Sequence, residues 1–349
     1  MNRGIGNMRD KIRVCLIGCG RAGMIHAKSY AGLVSGAELT AICDADENNL
    51  EAAQKIVNVR YAYNDYREAL KNDEIDAVIV VTPTRFHKDI VCSAANAGRH
   101  IFCEKPMASS PEECDEMIEE CRKNNVKLQI GFMRRFDKNF RRGREIIDSG
   151  VIGPVAMIKS NTYGPSEPKE WMYDIRNNQG PIGEVNSHDL DICRWYAGSE
   201  PRRIYAVGNN FRSPEKAADY PDYYDSCSVT IEFANGVIGV VTGAQYVQYG
   251  YDARTEILGT KGIVKVGTQR ADSVETVTRD MTIVSDSMDS WRTLFREAYV
   301  AEAQAFADSI LNNTEPLVTG YDGKIALVMV NAGVVSYLEK RPVDIVVSQ

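Results

Sequence analysis

Residues 18–23 read Gly18, Cys19, Gly20, Arg21, Ala22 and Gly23, set between an apolar run at 12–17 and a segment with helical periodicity. No other feature constrains the fold as much. The first glycine permits a tight turn, the second lets a backbone approach a pyrophosphate, and the third allows a helix to pack closely on a strand. Asp44 lies 21 residues beyond Gly23 at the end of the next apolar run, where a carboxylate accepts hydrogen bonds from adenosine ribose hydroxyls. A tight turn with a surface aspartate is the plainer alternative; context and spacing together outweigh it. The charge of Asp44 repels a 2′-phosphate and so favours NAD over NADP. Arg21, inside the loop, can compensate, which leaves dual use open.

Residues 12–131 alternate short apolar runs with helical patterns, the rhythm of a parallel sheet covered on both faces. Strands are expected at 12–17, 38–43, 77–82, 100–104 and 127–131. Ser110, Pro111 and Glu113 predict a helix start, with a capping serine, a proline in the first turn and a glutamate three residues on. Past residue 150 the pattern shifts to β-branched and aromatic alternation. Strands are expected there at 155–162, 203–208, 226–233, 237–246, 255–258 and 263–266, with Asn235-Gly236 as a hairpin turn. Helices are expected at 184–197, 291–311 and 322–339. A chain of 349 residues exceeds what one core usually organises. The expected architecture is therefore an α/β Rossmann domain over 1–131, with a doubly wound parallel sheet. An α+β domain with a large, open, mainly antiparallel sheet follows over 132–349 for substrate binding and oligomerisation. The C-terminal helix is free to pack back on the first domain.

Charge and composition exclude several classes. Lys and Arg number 41 against 48 Asp and Glu, a net charge of −7, whereas a nucleic-acid binder needs a basic footprint. The longest apolar runs, 77–81 and 325–330, fall well short of the roughly 18 to 20 residues of a membrane span. The first eleven residues are polar without an apolar centre, so they predict a short tail and a cytoplasmic protein. Nine cysteines contain no C-x-x-C pair and predict buried, reduced thiols. Four histidines lack zinc-site spacing, so no metal is expected.

Thr82 and Pro83 end one strand with His87 just beyond, and Glu104, Lys105 and Pro106 end the next. Both segments reach the carboxyl edge of the sheet, where open α/β folds bind ligands. In the second domain Glu184, His188 and Asp191 fall at i, i+4 and i+7, one face if the segment is a single helix. A solvated lysine and a solvated polar face are the plainer readings of these groups.

With those residues in place, the chain resembles the Gfo/Idh/MocA family of oxidoreductases. The resemblance implies that the Lys105 of the E-K-P motif faces the nicotinamide and the substrate, with Thr82, Pro83, His87 and Glu104 in the cofactor site. It places His188 beside that lysine, although Glu184 stands where the family commonly has an aspartate. Gly131 to Arg135 and Tyr249 to Asp252 extend the resemblance toward the inositol dehydrogenase branch. Met133, Arg134, Glu184 and Asp191 are then expected at the substrate. Tyr249 and Tyr251, sharing a strand face, would meet its hydroxyls, with aromatic packing as the alternative. The basic stretch 134–144 is read as a solvated or subunit-contact face. The implied activity is NAD-dependent oxidation of a secondary alcohol of a cyclic polyol or sugar, inositol-like or glucose-derived. Lys105 would take the hydroxyl proton and His188 would hold or relay it. NAD-assisted glycoside cleavage and a non-catalytic NAD sensor or scaffold stay open as alternatives. The uncovered outer face of the second sheet, with the resemblance, implies a homotetramer.

Overall fold

The computed structural model describes residues 11–346, so the polar tail at 1–10 lies outside them. Among these residues, β1 (Ile12–Ile17), β2 (Ala37–Cys43), β3 (Tyr61–Tyr63), β4 (Ala77–Val80), β5 (His100–Glu104) and β6 (Leu128–Gly131) form a sheet in the order β3-β2-β1-β4-β5-β6. Every pairing is parallel. This is the doubly wound order of a dinucleotide fold, and the strand order reverses between β1 and β4. Because helices cover both faces, β1, β2, β4 and β5 are buried along nearly their whole length, which is why they read as unbroken apolar runs. The edge strand β3 is three residues of Tyr-Ala-Tyr, too short to show a pattern. The helix Pro111–Lys123 starts as expected, with the Ser110 side chain accepting from the Glu113 N–H.

The described residues pack as two compact units: 11–133 with 298–324, and 134–297 with 325–346. The helix Arg296–Leu311 gives Ala303, Phe306 and Ala307 to the core of the first unit, beside Val14, Leu16 and Phe102. The sequence alone puts residues 132–349 in the second domain, with only the C-terminal helix free to pack on the first. Apolar periodicity shows that a helix is buried, but not which core buries it.

The second unit is built on β7 (Val155–Gly164), β8 (Pro201–Asn209), β9 (Ser226–Phe233), β10 (Ile238–Gln245), β11 (Asp252–Gly259) and β12 (Ile263–Val266). A small hairpin, β13 (Thr276–Val277) with β14 (Ile283–Val284), precedes the edge strand β15 (Val343–Asp344). The main sheet runs β12-β11-β7-β10-β9-β8-β15, with β7 and β10 parallel and the other neighbours antiparallel. Gly236 turns the β9–β10 hairpin at φ +87°, a left-handed conformation that suits the glycine of Asn235-Gly236. The register aligns Ile263, Leu258, Met157 and Ile238 as one row across β12, β11, β7 and β10. Ile263, Leu258 and Ile238 in that row are exposed, as are Tyr205 and Val207 on β8.

The helix expected at 184–197 is two: Gly180–Glu184, then Ser187–Ala197 after a break at Val185 and Asn186. The break has a physical reason. The buried Asn186 donates from Nδ2 to the Thr242 carbonyl at 3.1 Å and to Asp189 Oδ2 at 2.8 Å, which pins the second helix to the sheet. At Gly243 any Cβ would lie 1.7 Å from Asn186 Oδ1, so β10 has no room there for a side chain.

Candidate active site

The glycine turn in the first unit divides its labour. Gly18 has φ +101°, and a Cβ on it would lie 2.4 Å from the Val81 carbonyl oxygen; one on Gly23 would lie 1.9 Å from that of Gly18. Those two glycines are demanded by the packing of the turn. A Cβ on Gly20 would meet nothing within 4 Å, so the open space there is available to a ligand. The following helix, Gly23–Tyr30, begins at Ala22 without a side-chain cap; the Met24 and Ile25 N–H groups donate to the Gly20 and Ala22 carbonyls, so no side chain occupies the helix start that an anion would approach. Asp44, just past β2, accepts from the Cys19 N–H at 2.7 Å through Oδ2 and from the Asp46 N–H at 2.9 Å through Oδ1. Its carboxylate is thus fixed beside the turn. Arg21 is exposed at the same turn. Thr82 Oγ1, beyond β4, is buried with no hydrogen-bond partner among the described residues. Open space at Gly20, a helix start without a side-chain cap, a fixed carboxylate and an orphaned hydroxyl fit an adenine dinucleotide.

Cys19 lies inside this turn without being a reactive group. Burial, then the charge of Asp44, pushes its thiol up to about 12. All nine cysteines are free, and eight of them are buried.

Parallel strands place the other expected cofactor residues along the same edge. Pro83 is exposed, whereas His87 is 1% exposed and faces backbone on both sides. Its Nδ1 is 2.9 Å from the Pro106 carbonyl oxygen and its Nε2 is 2.8 Å from that of Thr82. Burial pushes the ring's pKa down, against the pull of the two carbonyls. The sequence places His87 at the cofactor; in the structure its ring is buried between the carbonyls of two loops and, when neutral, donates to one of them. Glu104 is also internal: Oε2 accepts from the Lys105 N–H at 3.0 Å, and Oε1 accepts from His26 Nε2 at 2.8 Å. Lys105, between these groups, is half-buried.

Two participants were missed by sequence reasoning. His26 lies in the helix after the glycine turn, within a run that looks like ordinary helix. Glu302, in Arg296–Leu311, is fully buried near Glu104. Burial, reinforced by the charge of Glu104, holds the Glu302 carboxyl well above the usual range and therefore neutral. Its position in the chain, almost 200 residues from Glu104, gave no local signal.

In the second unit, the residues expected at a substrate separate by burial. Arg134 is 1% exposed, donating to Asp189 Oδ1 at 2.9 Å, Thr162 Oγ1 at 2.7 Å and the Tyr251 hydroxyl at 3.3 Å. Its guanidinium also lies 5.3 Å from the centre of the Phe295 ring. Asp189, which the sequence did not single out, additionally accepts from Ser160 at 2.6 Å and from Asn186. Asp191 accepts from Arg135 through both oxygens, at 2.9 and 2.5 Å. Met133 is buried. Tyr249 and Tyr251 do not share a strand face. Tyr249 occupies an exposed turn, Gly250 follows at φ +105°, and Tyr251 is buried just before β11. Glu184 is exposed at the end of one helix, and His188, in the first turn of the next, is 8% exposed; the break between them removes the single face expected for Glu184, His188 and Asp191.

Comparison with known proteins agrees with this architecture along the chain. Residues 12–132 match the model of an oxidoreductase family with an NAD-binding Rossmann fold, and 140–265 match the GFO/IDH/MocA C-terminal domain. Myo-inositol 2-dehydrogenase of Thermotoga maritima is 32% identical, covering 96% of this chain and 98% of the relative. Inositol 2-dehydrogenase of Rhizobium meliloti is 34% identical over 96% and 99%. A crystal structure of scyllo-inositol dehydrogenase from Lactobacillus casei, with bound NAD(H) and scyllo-inositol, superposes with a TM-score of 0.90. It is 28% identical and covers 96% of this chain and 99% of its own.

The buried acid yields a stability prediction. Glu302 has a raised folded pKa, while in the unfolded chain it ionises near its ordinary value of 4.5. Its contribution is therefore fully present below that value and is lost progressively as pH rises toward the folded pKa. Glu302→Gln removes this loss, so the melting temperature of the variant minus that of the wild type grows from about pH 5 to about pH 8. Thermal unfolding followed by circular dichroism measures it; a flat difference would mean an acid already ionised in the folded protein.

Proposed function

The chain belongs to the Gfo/Idh/MocA family of NAD-binding oxidoreductases, and from that premise we propose that it oxidises a secondary alcohol of a cyclic, inositol-like polyol to the ketone. The observation that carries this reading is the position of Lys105, at the carboxyl end of β5 on the sheet edge that also carries the open glycine turn and Asp44. NAD, when bound, accepts the hydride that leaves the carbinol carbon. Lys105 takes the hydroxyl proton as that hydride departs, and His188 holds or relays it. The glycine turn and Asp44 bind and orient the dinucleotide, while Thr82 supplies a hydroxyl to the same edge. Among the residues proposed near substrate, Glu184 and Tyr249 have the exposure for direct contact. Met133, Arg134, Asp191 and Tyr251 contribute by fixing the segments that carry the polar groups.

Two finer features belong to the same reading. Asp44 sets a preference for NAD over NADP through repulsion of a 2′-phosphate. The row of exposed apolar residues on β12, β11 and β10, with Tyr205 and Val207, favours association through the sheet face, and we place the protein in the cytoplasm as a homotetramer.

Three measurements test this. A panel of inositols, free sugars and glycosides is followed by NADH absorbance: inositols should give net NADH, and Lys105→Ala should lower kcat by roughly a hundredfold or more while NAD binding is nearly unchanged. Glycoside cleavage without net NADH, or turnover retained in Lys105→Ala, would refute the mechanism. For the cofactor, Asp44→Ser should narrow the ratio of kcat/KM for NAD over NADP; a wild type that prefers NADP contradicts the role of Asp44. Light scattering at micromolar concentration should return the mass of a tetramer, and a monomer would remove the sheet-face interface.

A further inference from the structure

Lys105 sits in a turn held on both sides by histidines that have no place in the chemistry above. On its N-terminal side, the Lys105 N–H donates to Glu104 Oε2, while Glu104 Oε1 accepts from His26 Nε2 at 2.8 Å. His26 is 1% exposed, with the Phe102 ring centre at 5.0 Å and that of Tyr299 at 5.5 Å. The carboxylate is also confined from β6: a Cβ on Gly131 would stand 2.9 Å from both Cδ and Oε2 of Glu104. On the C-terminal side, the Pro106 carbonyl oxygen is 2.9 Å from His87 Nδ1 and the Thr82 carbonyl oxygen is 2.8 Å from Nε2; a neutral ring carries one N–H, and the tautomer with that proton on Nδ1 donates to Pro106.

Each histidine therefore connects the lysine turn to a different part of the cofactor edge. His26 comes from the helix that opens at the glycine turn, and His87 from the helix that follows Thr82 and Pro83. A lysine amine stands at the end of a long, flexible stem, so the aim of a proton acceptor depends on a fixed origin at its backbone. General-base efficiency falls steeply with small displacements. The Glu104–His26 bond on one side and, with the His87 proton on Nδ1, the bond to the Pro106 carbonyl on the other supply such an origin.

We propose that His26 and His87 are positioning residues for Lys105, acting through Glu104 on one side and the Pro106 carbonyl on the other. This rests on the reading of Lys105 as proton acceptor. It assigns a task to two histidines that neither touch substrate nor take its proton.

Side chains that copy one ring nitrogen at a time test the proposal. A glutamine amide nitrogen stands near the place of Nε2, and an asparagine amide nitrogen near that of Nδ1. His26→Gln keeps the bond to Glu104 and His26→Asn loses it. His87→Asn keeps the bond to Pro106 and His87→Gln loses it. With folding checked by thermal melting, kcat, the KM for the polyol and the dissociation constant for NADH are measured for each. In each pair, the variant that keeps the bond to the lysine turn should retain at least about fivefold more kcat, with NADH binding within about threefold of wild type. Combined with Lys105→Ala, the bond-breaking variants should cost less than about twofold further in kcat, because there is no longer an amine to aim. Equal losses within each pair, or the same fold-loss with and without Lys105, would overturn the proposal while leaving Lys105 as base. Near-native turnover in Lys105→Ala would overturn the reading of Lys105 and the proposal with it.

Discussion

Strand polarity is the constraint on which the first unit depends. In a sheet whose neighbours are all parallel, every strand delivers its carboxyl end to one edge, so the loops after β1, β2, β4 and β5 emerge together. Gly18, Asp44, Thr82 and Lys105 are far apart in sequence and reach one edge for that reason alone. Backbone packing then fixes the details. Gly18 and Gly23 are required by contact with Val81 and with each other, whereas a Cβ on Gly20 would meet nothing among the described residues. In a glycine turn at the carboxyl edge of the sheet, that open space suits the close approach of a ligand.

The second unit is organised by a different interaction. The Arg134 guanidinium and the Asp189 carboxylate are both fully buried, and charges so placed are tolerable only when hydrogen bonds satisfy them. Thr162, Ser160, Tyr251 and Asn186 supply those bonds from β7, from the segment before β11 and from the break between two helices. Losing one charge of such a pair typically costs about 3 to 5 kcal/mol, because the other is left buried and uncompensated. The network fixes the start of the helix carrying His188 against the sheet. The nearby Arg135–Asp191 pair, within which the Arg135 guanidinium also lies 5.7 Å from the Trp195 ring, does the same for its next turn. Polar residues that looked like ligands for a substrate are in large part the means by which this unit holds its own shape.

Local patterns were legible wherever one side chain or one turn decides the outcome. β1, β5, β9 and β12 fall at their expected residues, as do the capped helix at Pro111 and the Asn235-Gly236 hairpin. Legibility failed where a distant segment supplies the cause. The edge strand β3 exists because β2 offers it backbone partners, and three residues cannot announce that. The helix at 184–197 breaks because Asn186 finds Thr242 and Asp189, which propensity does not register. Tyr249 and Tyr251 part because Gly250 turns the chain between them.

By itself the sequence determined the cofactor fold, since glycine spacing, strand hydrophobicity and the aspartate after β2 are short-range features whose physics is local. The E-K-P segment and its place at a strand end belong to the same class. Tertiary structure decided which polar groups face inward and what they do there. His26 and Glu302 meet Glu104 from helices far apart in the chain, and His87 faces two carbonyls rather than open space. Arg134 closes on an aspartate 55 residues away. A buried polar side chain takes its role from the partners that satisfy it, and those partners are brought together only by folding.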